Sequence, residues 1–184
     1  MRVAIWPVHV EGWVLGSGFD RAAVGEQVTW RLRFFPLQEL VAGASCLTFE
    51  LNAESWSSAS GDSGGLLLRA GGLRAFWPTR ETKTGRLSLA GRFYGGGDPS
   101  PAVTTGIVRR VQIVTTLYRM GLREYLPVPG TDSFRDVDRI PRLIDAHLRQ
   151  DEDSQTLEHE IVVDLDVSDN DDDDDDQADP SAGG

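Results

Sequence analysis

The nine residues QVTWRLRFF (27–35) decide the expected fold because their side chains alternate strictly. Val28, Trp30, Leu32 and Phe34 are apolar, and the residues between them are polar. Alternation with a period of two predicts a strand with one buried face and one wetted face. Such strands are typical of antiparallel sheets.

Other parts of the chain carry strand patterns of the same kind. Alternating or β-branched residues occur in five further segments, at 46–52, 66–77, 86–94, 107–119 and 157–167. The segment 66–77 contains Gly71-Gly72, and two glycines can supply the positive φ angles of a tight turn, so it predicts a hairpin. Pro7 divides an early apolar strand, which we expect at an edge or with a bulge.

One segment, 140–148, has helical spacing. Its residues Ile140, Leu143, Ile144, His147 and Leu148 fall on one face of a short helix, and Pro141 suits the first turn. Seven or eight short strands with one short helix predict a mainly β fold, as a small antiparallel barrel or a rolled sheet. The pattern leaves an SH3-like barrel, an oligonucleotide-binding-type barrel and a sandwich open.

The net charge of −11 is unevenly distributed. Residues 151–184 contain 15 acidic and no basic residues, so residues 1–150 contain 14 acidic and 18 basic residues. The segment 168–184, SDNDDDDDDQADPSAGG, repels itself and has nothing to bury. We therefore expect a single mostly β domain over 1–167, followed by a disordered acidic tail over 168–184.

Composition also bears on location and cofactors. A lone cysteine, Cys46, cannot form an internal disulfide, and no stretch approaches the ~20 apolar residues of a membrane span. The start of the chain does not resemble a signal peptide, since Pro7 and His9 interrupt its apolar run. The sequence has no CxxC or HExxH pattern. We expect a cytoplasmic protein with no membrane contact, no metal and no cofactor.

The stretch GDSGG (61–65) is similar to the loop around the nucleophilic serine of trypsin-like proteases. A serine nucleophile needs a nearby base, and in that family the base comes from an earlier barrel. Only 62 residues precede Ser63, and His9 is the only upstream histidine. We therefore interpret this stretch as a polar linker and assign no catalytic residue. His147 and His159 are interpreted as packing side chains.

The predicted wet faces of three strands carry arginines and aromatic residues. The candidate binding residues are Arg31, Arg33, Arg86, Arg92, Tyr94, Arg110 and Tyr118. Neighbouring strands of this kind could contact phosphate backbones and stack bases. The alternative is an ordinary wetted sheet face in a chain with 17 Arg and one Lys.

Four stretches carry a resemblance to a known family. They are VHVEGW (8–13), AVGEQVTWRL (23–32), TTGIVRRVQIVTTLYR (104–119) and VPGT (128–131). Together they resemble a family of small proteins from Streptomyces and related actinobacteria, defined only as a domain of unknown function. Many members of that family have a cysteine pair after the early tryptophan, where this chain has VLGSGFD (14–20). The resemblance implies no activity and assigns no functional residue.

These observations favour a non-enzymatic binding module whose partner is a protein or a nucleic acid. The acidic tail could compete with an anionic partner for the mildly basic body. One alternative is an enzyme of unknown type, in which dispersed groups converge in a deep pocket, drawn from Asp132, Asp136, Asp138, His9 and Ser63. Another alternative is a subunit of a larger assembly that pairs through segment 157–167.

Overall fold

A computed structural model describes residues 4–40, 46–58, 64–96, 100–144, 149–151 and 153–167. These residues form eleven strands, one α-helix and one 3-10 turn. In chain order they are β1 (Ala4–Glu11), α1 (Gly12–Gly16), β2 (Gln27–Pro36), the 3-10 turn (Leu37–Glu39), β3 (Leu47–Ser57), β4 (Gly64–Ala70), β5 (Leu73–Trp77), β6 (Gly85–Gly95), β7 (Val103–Met120), β8 (Tyr125–Pro127), β9 (Ser133–Val137), β10 (Arg149–Gln150) and β11 (Ser154–Val167).

Strand pairing closes two rings that share β2 and β6. The first ring runs through β11, β1, β6, β2 and β7 and returns to β11. The second ring runs from β6 through β3, β4 and β5 to β2. Only the β1–β6 and β2–β5 pairings among the described strands are parallel. The prediction of a mainly β fold is therefore confirmed.

The alternating pattern of β2 is confirmed side chain by side chain. Val28, Trp30, Leu32 and Phe34 are buried, whereas Arg31 between them is exposed. Their burial is stabilising because each large apolar side chain removed from water contributes about 1.5–3 kcal/mol. The predicted hairpin is also confirmed, since β4 and β5 pair antiparallel on either side of a turn at Gly71, whose φ is 55°.

Strand β7 extends past the first ring. Its first part pairs with β2 on one edge, and its later part pairs with β9 and then β8 on that same edge. Strand β11 runs along the other edge of β7 from Ile107 to Arg119. Beyond β2, therefore, β7 and β11 continue as a pair outside the first ring, where they can border a cavity.

The described residues contain one short helix, as predicted, but at a different place. The helix is α1, whereas residues 140–144 of the predicted helix are not helical. Ile140 is fully buried in an extended segment, and its amide donates to Ala22 O at 3.0 Å. Leu143 is 68% exposed. A short helical pattern is marginal by itself, so these tertiary contacts override it.

Several expectations concern residues outside the described part of the chain. The acidic tail at 168–184, Ser63 of the GDSGG stretch, and His147 lie there. Within the described residues, no helix combines the length and apolar character required to cross a lipid bilayer.

The seam shared by the two rings leads to a first prediction. A Cβ added at Gly91 would clash with the backbone carbonyl of Phe35 and with the ring of Phe34. We expect Gly91→Ala to lower the free energy of unfolding by about 1–3 kcal/mol, as overpacking does. Gly16→Ala is the control, since a Cβ there meets open space, and we expect stability unchanged or higher by up to ~1 kcal/mol. Urea unfolding of both variants checks this, and equal losses would contradict it.

Candidate functional site

A cavity of about 760 Å³ opens where β7 and β11 continue past the first ring. Its lining comes from β1, β6, β7, β8 and β11, from α1, and from loop residues between these elements. We use the name polar base for six lining residues, Arg92, Thr116, Asp132, Glu158, His159 and Glu160. We use the name apolar mouth for Trp13, Leu126 and Leu143, which are 67%, 50% and 68% exposed.

A buried carboxylate lies at the centre of the polar base. Glu160 Oε2 is 3.0 Å from an Arg92 guanidinium nitrogen and 3.0 Å from His9 Nδ1. Burial opposes ionisation of this carboxyl, but His9, Arg92 and His159 outweigh that effect and hold the pKa of Glu160 below its ordinary value. Glu160 is therefore an anion that joins β11 to β6 and β1.

A second polar group connects β7 to β11. Thr116 Oγ1 donates to Asp132 Oδ1 at 2.6 Å and lies 2.9 Å from His159 Nε2. A hydroxyl has one proton, so His159 Nε2 must donate to Thr116 in this arrangement. Burial is the main cause that lowers the pKa of His159, against the opposing charges of Glu160 and Asp132. The imidazole is therefore neutral near pH 7, with Nδ1 as an acceptor.

An irregularity in β11 directs His159 to this cavity. Glu158 lies opposite Thr115 and Glu160 lies opposite Val114, so His159 is an extra residue in the ladder. Such a bulge turns side chains away from the regular alternation. Four consecutive residues of β11, 157–160, line the same cavity. His159 therefore lines the cavity and also packs edge-on against the ring of Tyr118.

Two phenols border the polar base. The ring of Tyr94 lies 5.5 Å from that of His9, and the ring of Tyr118 lies 6.0 Å from that of His159. Burial, followed by the charge of Glu160, raises the pKa of Tyr94, and burial also raises the pKa of Tyr118. Both phenols are therefore protonated at neutral pH.

A smaller cavity of about 200 Å³ has lining residues in common with the large one. The residues shared by the two are Glu11, Trp13, Leu40 and Tyr94. Trp13 Nε1 donates to Glu11 at 2.7 Å, which holds the indole beside both openings. The smaller cavity also reaches Arg33, whose guanidinium lies 5.2 Å from the centre of the Phe35 ring.

The seven predicted binding residues are divided among several places. Arg92, Tyr94 and Tyr118 line the large cavity, and Arg33 lines the smaller one. The other three lie elsewhere, each with a partner. Arg31 donates to Ser100 O at 2.8 Å, Arg86 to Glu50 at 3.3 Å, and Arg110 to Asp136 at 2.8 Å.

The residues considered for the enzyme alternative also lie in different parts of the structure. Asp132 lines the cavity, and His9 reaches it through Glu160. Asp136 bonds Arg110 and Gln112 on the exposed side of β9 instead. Glu158 and Glu160 were not among the sequence candidates, although both are buried and line the cavity. Within the described ranges, no three His, Cys, Asp or Glu residues are grouped as metal ligands.

The rings and the cavity define a mainly β protein with a cavity that is polar at its base and apolar at its mouth. The chain belongs to a family of unknown function, DUF6578, whose sequence profile matches residues 4–167. No curated protein and no solved structure matches the chain.

The buried ion pair leads to a second prediction. Arg92→Met leaves the Glu160 carboxylate without its guanidinium, and breaking a buried pair in this way costs about 3–5 kcal/mol. We expect the double variant Arg92→Met/Glu160→Leu to recover most of that loss, because neither charge of the pair is then left without its partner. Urea unfolding measures both. A double variant no more stable than the single variant would show that the charge is not the cause.

The raised pKa of Tyr94 leads to a third prediction. An unfolded tyrosine ionises near pH ~10, but the folded protein retains the Tyr94 proton to higher pH. The stabilising contribution of the protonated phenol is thus complete below pH ~10 and is lost as pH rises through the folded pKa. We expect the unfolding free energy of Tyr94→Phe to fall less steeply above pH ~10 than that of the wild type. Urea titrations at several pH values measure these free energies. An equally steep fall with pH in the wild type and in Tyr94→Phe would contradict this.

Proposed function

We propose that this protein binds a small molecule in the large cavity. The observation that carries the proposal is the cavity itself, since its volume of about 760 Å³ lies within the ~300–1,000 Å³ of small-molecule sites. Such sites are mostly apolar with a few convergent polar groups. The apolar mouth and the polar base have this arrangement.

The polar base supports the proposal because its groups are held in place before a ligand arrives. The Arg92–Glu160 pair and the Thr116–Asp132 bond fix side chains from β6, β7 and β11. Groups that are already ordered do not lose freedom on binding, so more of the interaction energy contributes to affinity. The neutral His159 and the phenol of Tyr118 add an acceptor and a donor.

A catalytic use of the same cavity is a second candidate. The observation that favours it is the chain of bonds from Asp132 through Thr116 to His159. A neutral imidazole can accept a proton from a bound substrate, as a general base does. Under this proposal His159→Gln would abolish turnover but leave binding in place. A protein that only binds would show no turnover in the wild type or in the variant.

The protein or nucleic-acid partner expected from the sequence stays a prediction, as do the modulating acidic tail, a cytoplasmic location and an actinobacterial origin. We favour the cavity over the arginine positions because the guanidinium groups of Arg31, Arg86, Arg92 and Arg110 already have partners within the chain. A polyanion would have to compete with these contacts.

A dye titration tests the cavity proposal. Nile red is neutral and emits more strongly in apolar surroundings, so we expect saturable binding with one dye per chain. Val128 and Leu157 both line the cavity, and the double variant Val128→Trp/Leu157→Trp should weaken binding at least about tenfold by filling it.

The matched control is Val24→Trp/Val103→Trp. These valines are 46% and 42% exposed and line neither cavity, so we expect wild-type dye affinity. Thermal unfolding of both double variants establishes that they fold. Equal affinity in the two double variants would place the dye outside the cavity and overturn the proposal.

A further inference from the structure

We infer that the ligand of the large cavity is a small organic cation, an amine or quaternary ammonium carried on an apolar body. This inference rests on the proposed function and specifies its ligand class. The charges, the aromatic rings and the apolar mouth of the cavity support it.

Negative charge predominates in the lining. Five carboxylates face one guanidinium, that of Arg92; they are Glu11, Glu124, Asp132, Glu158 and Glu160. Two of the five already have guanidinium partners. Glu160 pairs with Arg92 at 3.0 Å and Glu158 pairs with Arg135 at 2.7 Å. The remaining three set the charge that a ligand meets.

Those three carboxylates have no ion pair with an Arg or Lys side chain within the described part of the chain. Glu11 accepts the Trp13 indole N–H, and Asp132 accepts the Thr116 hydroxyl. Neutral donors of this kind orient a carboxylate but leave its charge uncompensated. Of these three, Asp132 is partly buried, whereas Glu11 and Glu124 are exposed. A partly buried charge attracts a counter-ion more strongly than an exposed one, because water screens it less. A cation entering the cavity would supply the missing charge.

An anionic ligand fits the same lining poorly. Its natural partner would be Arg92, which is buried and bound to Glu160. Taking that guanidinium would leave the Glu160 carboxylate without its arginine partner, and breaking a buried ion pair in this way is costly. An anion would also approach Glu11, Glu124 and Asp132 with the same sign of charge.

Aromatic rings favour an organic cation over a metal ion. Trp13, Tyr94, Tyr118 and Tyr125 all line the cavity. The faces of such rings attract cations, and sites for quaternary ammonium groups are commonly built from them. The exposed side chains of the apolar mouth offer a surface for the rest of such a molecule.

Three probes with one skeleton test the inference by calorimetric titration. They are 4-phenylbutylamine, the neutral 4-phenylbutanol and the anionic 4-phenylbutanoate. We expect the amine to bind at least about tenfold more tightly than either of the others. This is the effect of one favourable charge interaction of about 1.4 kcal/mol.

A pair of substitutions assigns the preference to the cavity. Asp132→Asn keeps an oxygen that can accept the Thr116 proton but removes the charge, so we expect it to abolish the tenfold preference for the amine over the alcohol. Asp136→Asn is the control. It makes the same change on an exposed carboxylate that bonds Arg110 outside the cavity, so the preference should remain.

The outcomes separate this inference from the cavity proposal. If the amine does not bind, or binds no more tightly than the alcohol or the carboxylate, the cation inference is overturned. An unchanged amine preference in Asp132→Asn also overturns it. Nile red binding and its loss in the filled double variant then decide separately whether the cavity binds small molecules.

Discussion

The ionised carboxylate of Glu160 is the interaction on which the site depends. A charge buried to this degree is stable only with a close partner, and here Arg92 and His9 both lie 3.0 Å from the same oxygen. The requirement fixes β6, β1 and β11 relative to one another, since each supplies one of the three groups. It also constrains Tyr94, whose ring lies 5.5 Å from that of His9, and His159, which directly precedes Glu160 in β11.

The two rings differ in their relation to the two cavities. Strands β3, β4 and β5 contribute no residue to the lining of either cavity in the described part of the chain. They contribute instead to an apolar core in which Phe34 and Phe93 are fully buried and Trp77 packs edge-on to Phe34. The cavity belongs to the ring that contains β1, β7 and β11. A well-packed second ring therefore supports a first ring whose interior is partly open at one end.

The alternation of apolar and polar residues predicted part of the fold and part of the candidate site. It identifies which side chains share a face of a strand, and it correctly placed Trp30 and Phe34 in the core. It does not report what covers the other face, so Arg92 looked wetted although it is buried against Glu160. The bulge at His159 breaks the alternation without a glycine or proline to mark it. The helix expected at 140–148 failed in its described part, 140–144, because backbone pairing with Ala22 outweighs a short periodic pattern.

The position of β1 has a consequence for synthesis of the chain. β1 lies between β6 and β11, and its register pairs Ala4 with Val167, so its longest pairing is with the last strand of the described residues. At about 5–20 residues per second, roughly 8–30 s pass between translation of the two. During that interval the second ring can assemble from local hairpins, but the first ring cannot close. Val8 and Val10 are buried in the folded protein, but during that interval their side chains are exposed and must not associate with another nascent chain. The rate of translation therefore sets how long the chain is exposed to misassembly.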